Sequence, residues 1–135
     1  MTLYLDSSAI VKLVAWEEES EALTAFLNSH LGSDASVGLV SADIARTEVL
    51  AAVSRAGLPL TRSYAVLETL VLLRLTPAIC ESAGVLAGEQ DMRSLDALHL
   101  AVAVSMRDSL HGLVTYDQRL GRAATRMGLS VLAPS

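Results

Sequence analysis

The chain has 135 residues, enough to bury one hydrophobic core, and its hydrophobic content of 52% excludes a disordered protein. Its single cysteine, Cys80, excludes an internal disulfide and a cysteine-based zinc site, and fits a reducing compartment. The net charge of −5 argues against a nucleic-acid partner held on a basic surface, and the longest apolar stretches fall short of the roughly 20 residues that span a bilayer. We therefore expect one globular domain over residues 1–135, located in the cytoplasm.

The N-terminal stretch runs from a strand into a helix across an acidic residue. Residues 2–5 are apolar and rich in strand formers, and apolar residues at helical spacing begin at Ile10. Asp6 therefore lies at a strand-to-helix turn, and in an open α/β sheet ligands bind beyond the carboxyl ends of the strands. Helix capping by Asp6, Ser7 or Ser8, worth about 1 kcal/mol, is the alternative interpretation.

The rest of the chain alternates between short strand-like runs and longer segments of helical period. Strands are predicted at residues 37–40, 71–75, 112–116 and 128–132, and a loop is predicted at residues 32–36. Helices are predicted at residues 10–14, 23–31, 42–56, 61–70, 77–88, 95–107 and 118–126, with Ser41 and Ser94 as capping residues. Strands that alternate with helices predict an α/β fold, with a mostly parallel sheet covered on both faces.

Glu48 interrupts the apolar face of the third predicted helix. It lies about two turns into that helix, beside Ile44 and Val49. A carboxylate on or beside a buried face is costly without a partner. Either Glu48 pairs with Arg46 or Arg55 at the surface, or it belongs to a functional site.

The predicted helix over residues 95–107 carries two polar side chains in an otherwise apolar sequence. Asp96 and His99 are three residues apart and share one face of the helix. Because Asp96 falls in the first turn, where an anion suits the helix dipole, helix capping is an alternative for it. A lone histidine on such a helix is more often a hydrogen-bonded core residue than a ligand, so we expect His99 at most to support a ligand from behind.

Two acids follow strands in the same manner. Asp6 ends the first predicted strand and Asp117 ends the fourth. If these strands are neighbours where the strand order reverses, their carboxylates face each other, and Asp96 and Glu48 reach the same place from helix starts. Carboxylates about 4 Å apart repel by on the order of 4 kcal/mol per pair at an effective dielectric constant of about 20, so such a cluster is stable only with cations.

The chemistry of this cluster suggests a metal-dependent reaction. Oxygen ligands without cysteine suit Mg²⁺ or Mn²⁺. Such sites hydrolyse phosphodiester bonds, because the ions activate a water molecule and stabilise the leaving oxygen. Thr115 and Ser7 are placed to hydrogen-bond the carboxylates or the attacking water. With four acids neutralised, eleven of the fifteen acids remain against ten bases, and the objection to a nucleic-acid partner weakens.

These motifs resemble those of PIN-domain ribonucleases. The resemblance rests on the turn Asp6-Ser7-Ser8, on Glu48, on the helical run Leu95-Asp96-Ala97-Leu98-His99-Leu100-Ala101 and on Thr115-Tyr116-Asp117. Chain length and motif order are most similar to VapC-type toxins of bacterial and archaeal toxin–antitoxin pairs. The resemblance covers the whole chain and implies a PIN-like three-layer α/β/α fold, whose five-stranded parallel sheet has the order 3-2-1-4-5.

The resemblance also implies an activity, a cofactor and partners. A VapC-type toxin is a Mg²⁺- or Mn²⁺-dependent endoribonuclease that hydrolyses RNA, commonly forms a homodimer and is held inactive by a VapB-type antitoxin. The family's catalytic residues carry over onto Asp6, Glu48, Asp96, Asp117 and Thr115, and its metal ligands onto the four acids among them.

Three other interpretations are open at this point. A PIN-domain nuclease outside a toxin–antitoxin pair and a non-catalytic PIN-like binding module share the fold of such toxins. A receiver-type signalling domain also places acids around magnesium, but it expects an acidic pair after the first strand and a lysine after the last. This chain has one acid in the first of these places and no lysine beyond Lys12.

The last predicted helix carries a basic face. Arg119, Arg122 and Arg126 are spaced three and four residues apart and share one side of the helix. Because Lys12 is the only lysine, RNA phosphates would be held by these arginines or by the metal. The same face also suits an acidic segment of an antitoxin, and a solvated helix face is the plain alternative.

Overall fold

One parallel sheet forms the centre of the protein. The computed structural model describes residues 1–31 and 38–135, so the predicted loop at 32–36 and Val37 of the second predicted strand lie outside the described residues. The strands are β1 (Thr2–Leu5), β2 (Gly38–Ala42), β3 (Val71–Leu73), β4 (Gly112–Val114) and β5 (Val131–Leu132). All neighbouring strands are parallel and their order is β3-β2-β1-β4-β5, which confirms the expected α/β class and strand order.

Helices cover both faces of this sheet. They are α1 (Ser7–Val14), α2 (Ser20–Leu31), α3 (Ile44–Arg55), α4 (Thr61–Glu68), α5 (Pro77–Glu89), α6 (Ser94–Ser105) and α7 (Gln118–Arg126), with a 3-10 turn (Arg107–Ser109) before β4. Leu3 and Leu5 of β1 pack into the core with α1 to α4, and Tyr4 packs into the core with α5 to α7. Successive strand residues point to opposite faces, so β1 contributes to both halves of the core. Among the helices of the described residues, none has the length and apolar character of a membrane span.

The strand order reverses at β1, and this reversal places the candidate site. β1 pairs with β2 on one side and with β4 on the other, where Leu5 lies opposite Val114. The Asp6 N–H donates to the Val114 carbonyl at 3.2 Å. Asp6 therefore follows the last pair of this ladder, and the residues after β4 lie beside it at the carboxyl edge of the sheet.

Neither of the two serines predicted to cap a helix does so. Ser41 lies inside β2, paired with Leu72 of β3, and α3 begins only after Asp43. The ladder with β3 keeps this segment extended and overrides its local capping pattern. Ser94 is the first residue of α6, and Arg93 occupies the N-cap position without a side-chain hydrogen bond.

Three strands are shorter than predicted. β3 and β4 end at Leu73 and Val114, and β5 has only two residues. Gly128 belongs to the end of α7, because its φ is +85° and its N–H donates to the Thr125 carbonyl at 3.0 Å. A glycine in this left-handed conformation commonly terminates a helix. The segment 128–132 is therefore a helix end followed by a short strand.

Candidate active site

Asp6 is buried and accepts three hydrogen bonds. The Ala9 N–H and Ser8 Oγ donate to Oδ1 at 3.0 and 2.6 Å, and Thr115 Oγ1 donates to Oδ2 at 2.6 Å. The side chain caps α1, so Asp6 both caps a helix and lies at the carboxyl edge of the sheet. Burial raises the pKa of Asp6, although the hydrogen bonds from Ser8, Thr115 and the Ala9 N–H oppose this shift. A neighbouring cation would stabilise this desolvated carboxylate in its charged form.

The Thr115 hydroxyl joins the ends of β1 and β4. Besides donating to Asp6, its Oγ1 accepts from the Asp117 N–H at 3.1 Å. Asp117 caps α7, and its Oδ1 accepts from a backbone N–H of that helix at 3.0 Å. Ser8 Oγ accepts from the Tyr116 N–H at 3.0 Å and makes a second link between the strand ends. One connected network therefore positions the carboxylates of Asp6 and Asp117.

Glu48 points into the site from the start of α3. Its Oε1 accepts from Ser7 Oγ at 2.8 Å and from His99 Nε2 at 2.7 Å. Burial alone raises the pKa of Glu48, but the interactions with His99 and Ser7 outweigh burial and lower it. Within the described residues neither arginine considered as its partner contacts it, and Arg46 instead lies 3.2 Å from Asp43. The interpretation of Glu48 as half of a surface ion pair is therefore wrong.

His99 is a core histidine that also contacts the site. It is 2% exposed, and Tyr4 Oη lies 2.7 Å from its Nδ1, while its Nε2 faces Glu48. The two rings of Tyr4 and His99 meet edge to face, with centroids 5.8 Å apart. The sequence interpretation missed Tyr4, although a phenol in a buried strand must find a hydrogen-bond partner and so gave a signal. Burial, and further the charges of Asp6 and Glu48, raise the pKa of Tyr4 far above its usual range.

Asp96 interacts with the other carboxylates through its charge. It is the third residue of α6, is half-buried and accepts no hydrogen bond within the described residues, so it does not cap the helix. Burial raises the pKa of Asp96, and the negative charges of Asp117 and Glu48 raise it further. The charges of Asp117 and Glu48 thus act on Asp96, and the Thr115 hydroxyl joins Asp6 to the backbone of Asp117.

The free oxygens of this group suit a divalent cation. Within the described residues, hydrogen bonds to Glu48 and Asp117 end on Oε1 and Oδ1, which leaves Glu48 Oε2, Asp117 Oδ2 and both oxygens of Asp96 without a hydrogen-bond donor. Hard divalent cations bind such oxygens. In the same described part of the chain, no three Asp, Glu, His or Cys side chains form a ready-made metal shell. That all four carboxylates meet at one ion therefore stays a prediction.

Two small cavities adjoin these side chains. One, of about 340 Å³, is lined by Ser7, Glu48 and Lys12, and the other, of about 330 Å³, is lined by Thr115 and Asp117. A larger cleft of about 600 Å³ between α1, α2 and α4 contains none of the four acids. Glu48 and Asp117 thus line two separate small cavities, and the larger apolar cleft is a separate feature.

The arginines of α7 are exposed. Arg119, Arg122 and Arg126 all face solvent on the helix that begins directly after Asp117. Arg126 Nε donates to Gln90 Oε1 at 2.8 Å, so one of the three is partly engaged within the protein. Contact of this face with RNA phosphates or with an acidic segment of an antitoxin stays a prediction.

Comparison with known proteins assigns the family. The sequence profile of the PIN domain matches residues 3–125. Ribonuclease VapC46 of Mycobacterium tuberculosis is 40% identical over 134 residues, which cover 98% of this chain and 98% of that protein. The chain belongs to the VapC family of PIN-domain ribonucleases. Membership confirms the resemblance drawn from the motifs and makes the receiver-type interpretation wrong.

Solved VapC structures share the fold of this VapC protein. The crystal structure of Mycobacterium tuberculosis VapC20, a toxin that cleaves the sarcin–ricin loop, matches with a TM-score of 0.73 and 13% identity over 98% of this chain and 99% of that chain. One chain of the structure of VapBC2 from Rickettsia felis, bound to a DNA fragment from its promoter, matches with a TM-score of 0.70 and 14% identity. The match covers 100% of this chain and 100% of that chain. PIN-domain ribonucleases are in general metal-dependent, in agreement with the oxygen-rich site.

Proposed function

We propose that this VapC protein is a Mg²⁺- or Mn²⁺-dependent endoribonuclease, formed by a single PIN domain over residues 1–135, and the toxin of a type II toxin–antitoxin pair. One observation carries the proposal: within the described residues the half-buried Asp96 accepts no hydrogen bond, and burial with the charges of Asp117 and Glu48 raises its pKa against the opposing charges of His99 and Arg93. Carboxylates in this arrangement are stabilised by a divalent cation, and oxygen ligands suit Mg²⁺ or Mn²⁺. Identity of 40% to a ribonuclease over the whole chain supports the reaction class.

The polar side chains of the site would act by holding the acidic residues in position. A divalent cation, when bound by the four carboxylates, supplies an activated water and stabilises the charge that develops on the leaving oxygen. Thr115 holds Asp6 through its hydroxyl and the strand end of Asp117 through the backbone N–H. Ser7 holds Glu48 Oε1 at 2.8 Å. Such preorganisation lowers the barrier because the reacting groups need not be ordered during the reaction.

The proposed substrate requires cations that can hold RNA phosphates. Lys12, the only lysine, is engaged in an ion pair with Glu19 at 2.8 Å. Arg119 and Arg122 are exposed, and they lie on the helix that begins directly after Asp117. Arginine binds phosphate through two parallel N–H donors, so we propose these two side chains as the contacts that guide RNA to the carboxylates.

A VapB-type antitoxin is the proposed protein partner. The fold of this chain matches one chain of the VapBC2 structure from Rickettsia felis over its whole length, which supports a partner of the same type. We also propose that the toxin forms a homodimer, as VapC-type toxins commonly do. Co-expression with the product of a neighbouring small gene, followed by light scattering on the purified complex, measures both the pairing and the stoichiometry.

Cleavage of RNA by the purified protein tests the proposed activity. Wild type, Asp117→Asn and a control variant, Asp108→Asn in the exposed 3-10 turn, are incubated with structured RNA in Mn²⁺ and then in EDTA. We expect cleavage by wild type and control in Mn²⁺, and none in EDTA or by Asp117→Asn. A folded wild type that cleaves no RNA in Mn²⁺ contradicts the proposal and favours a non-catalytic PIN-like module. Cleavage by a protein with no antitoxin gene nearby favours a PIN-domain nuclease outside a toxin–antitoxin pair.

A further inference from the structure

A chain of hydrogen bonds runs from the core to the edge of the site. Tyr4 Oη lies 2.7 Å from His99 Nδ1, and His99 Nε2 lies 2.7 Å from Glu48 Oε1. Tyr4 is fully buried and His99 is 2% exposed, so bulk water does not compete for these bonds. The three side chains come from β1, α6 and α3, and the fold joins them although 95 and 51 residues separate the bonded pairs in sequence.

The side chains at the two ends determine which atom donates in each of these hydrogen bonds. A carboxylate has no proton to donate, so His99 Nε2 carries the hydrogen and donates it to Glu48. When the ring is neutral, Nδ1 is then its remaining acceptor, and the phenol of Tyr4 donates to it. The hydrogen bond a ring nitrogen makes decides which tautomer is present. Tyr4 therefore selects the tautomer that His99 needs in order to hold Glu48.

We propose that His99 is a positioning residue for the cleavage reaction: Tyr4 holds it in the tautomer protonated at Nε2, and it holds Glu48 by Oε1. The inference rests on the proposed function in one respect, since it takes Glu48 as a ligand of the catalytic cation. Ser7 Oγ donates to the same Oε1 at 2.8 Å, so within the described residues Oε2 is the oxygen left for that cation. Side chains that hydrogen-bond a ligating carboxylate orient it, and their loss commonly costs about 10–100-fold in metal affinity or activity.

Two substitutions of His99 separate positioning from packing. In His99→Gln the amide nitrogen reaches the place of Nε2 and can donate to Glu48, whereas the shorter side chain of His99→Asn reaches only the place of Nδ1. We expect His99→Asn to raise the Mn²⁺ concentration for half-maximal cleavage and to lower kcat, each by about 10–100-fold, with the KM for RNA unchanged. We expect His99→Gln to restore most of this loss.

The matched control for these variants is His111→Gln. His111 is exposed and precedes β4, at the edge of the sheet opposite the carboxylates. We expect its metal requirement and kcat to equal those of wild type. A folded His99→Asn with the wild-type Mn²⁺ requirement would overturn the proposal, because His99 would then serve packing alone.

The tautomer is measured in the metal-free wild-type protein, independently of any cleavage. Nuclear magnetic resonance of ¹⁵N-labelled histidine reports the protonation of each ring nitrogen, and the chain has only three histidines. The signals of His99 are those missing from His99→Gln. We expect a protonated Nε2 and an unprotonated, hydrogen-bonded Nδ1, and a mixture of tautomers in Tyr4→Phe. A His99 ring in wild type that carries a proton on Nδ1 and none on Nε2 overturns the proposal, even where the Asn variant fails to fold.

Binding of Mn²⁺ without RNA separates this proposal from the proposed function. Electron paramagnetic resonance measures free Mn²⁺ in titrations of wild type and His99→Asn. Tighter binding by wild type in a protein that cleaves no RNA supports the positioning role and contradicts the nuclease activity. Cleavage by a wild type in which Nε2 is unprotonated supports the activity and contradicts the positioning role.

Discussion

Thr115 Oγ1 lies 2.6 Å from Asp6 Oδ2 and joins two strand ends that are 109 residues apart in sequence. The same hydroxyl accepts from the Asp117 N–H at 3.1 Å, so a single side chain links both acids that follow strands. β1 and β4 are neighbours where the strand order reverses, and this hydrogen bond connects the residues that follow their carboxyl ends. One hydroxyl therefore contacts the Asp6 carboxylate and the backbone of Asp117.

Replacing Thr115 by valine removes that link. Thr115→Val keeps the volume of the side chain but leaves Asp6 Oδ2 and the Asp117 N–H without their partner. We expect the free energy of unfolding to fall by about 1–3 kcal/mol, as for other buried groups that lose a hydrogen bond, and the cleavage rate to fall by about 10–100-fold. Urea unfolding and initial rates of RNA cleavage measure the two effects.

The control for this variant is Thr125→Val. Thr125 Oγ1 donates to the Gly121 carbonyl on the exposed side of α7, so its loss leaves the carboxylates untouched. We expect this control to cleave RNA at the wild-type rate. A wild-type rate in Thr115→Val as well would show that the hydroxyl has no part in the reaction.

Removing the side chain of Asp6 has a cost in stability as well as in activity. Asp6 caps α1, and loss of an N-cap residue costs about 0.5–2 kcal/mol. We expect Asp6→Ala to abolish cleavage and to unfold at a lower urea concentration than wild type. Unchanged cleavage in this variant would remove Asp6 from the catalytic set, and unchanged stability would contradict the capping role.

Asp96→Asn has the opposite effect on stability. Asp96 accepts no hydrogen bond within the described residues and is repelled by Asp117 and Glu48. A neutral amide in its place removes this electrostatic repulsion. We expect Asp96→Asn to abolish cleavage and to be more stable than wild type by up to about 1 kcal/mol in EDTA at pH 7. Asp108→Asn, in the exposed 3-10 turn, is the control and should match wild type in both assays. A destabilised Asp96→Asn would show that the repulsion is not significant.

The stability gain of Asp96→Asn depends on pH. The pKa of Asp96 is raised in the folded protein above its value of 3.8 in an unfolded chain. A raised pKa contributes stability that is present below the unfolded pKa and is lost as the pH rises through the folded pKa. The difference between Asp96→Asn and wild type should therefore shrink as the pH falls from 7 toward 3.8, measured by urea unfolding in EDTA. A difference that stays constant over this range contradicts the assignment.

The arginines of α7 should govern the salt dependence of RNA binding. Each phosphate contact to a single strand contributes about 0.7 to the slope of log affinity against log salt, so Arg119→Gln with Arg122→Gln should lower the slope by about 1.4. Fluorescence anisotropy in the non-cleaving Asp117→Asn background measures binding without turnover. Arg55→Gln, at the exposed end of α3, is the control and should keep the full slope. An unchanged slope in the double variant would assign this face to another partner.

The fold and the acids were predictable because local patterns specified them. The run before Asp6 is short and apolar, and the acid follows it directly, so the strand end could be recognised without knowing its neighbours. Alternation of strands and helices gave the fold class, and the motif order gave the strand order through the family resemblance. Asp6 caps α1, so the capping interpretation of this residue is confirmed, and its catalytic role stays a prediction.

The remaining features depend on contacts that no local pattern records. Glu48 is paired with His99 because α3 and α6 approach the same strand end, and no local pattern indicates a pairing across a sequence separation of 51 residues. Ser41 followed a capping pattern, yet its ladder with β3 decided its conformation. Gly128 matched the start of a strand, but its positive φ ends a helix. In each case long-range packing or backbone geometry outweighed the local preference.

We propose that Asp6, Glu48, Asp96 and Asp117 together bind a divalent cation. Anomalous diffraction from a crystal soaked in Mn²⁺ locates such an ion, because manganese scatters anomalously where Mg²⁺ and water do not. We expect a manganese peak within ligand distance of carboxylate oxygens from at least three of these residues, and its loss in Asp96→Asn. A peak elsewhere on the protein, or an empty crevice in crystals of a protein that cleaves RNA, would contradict it.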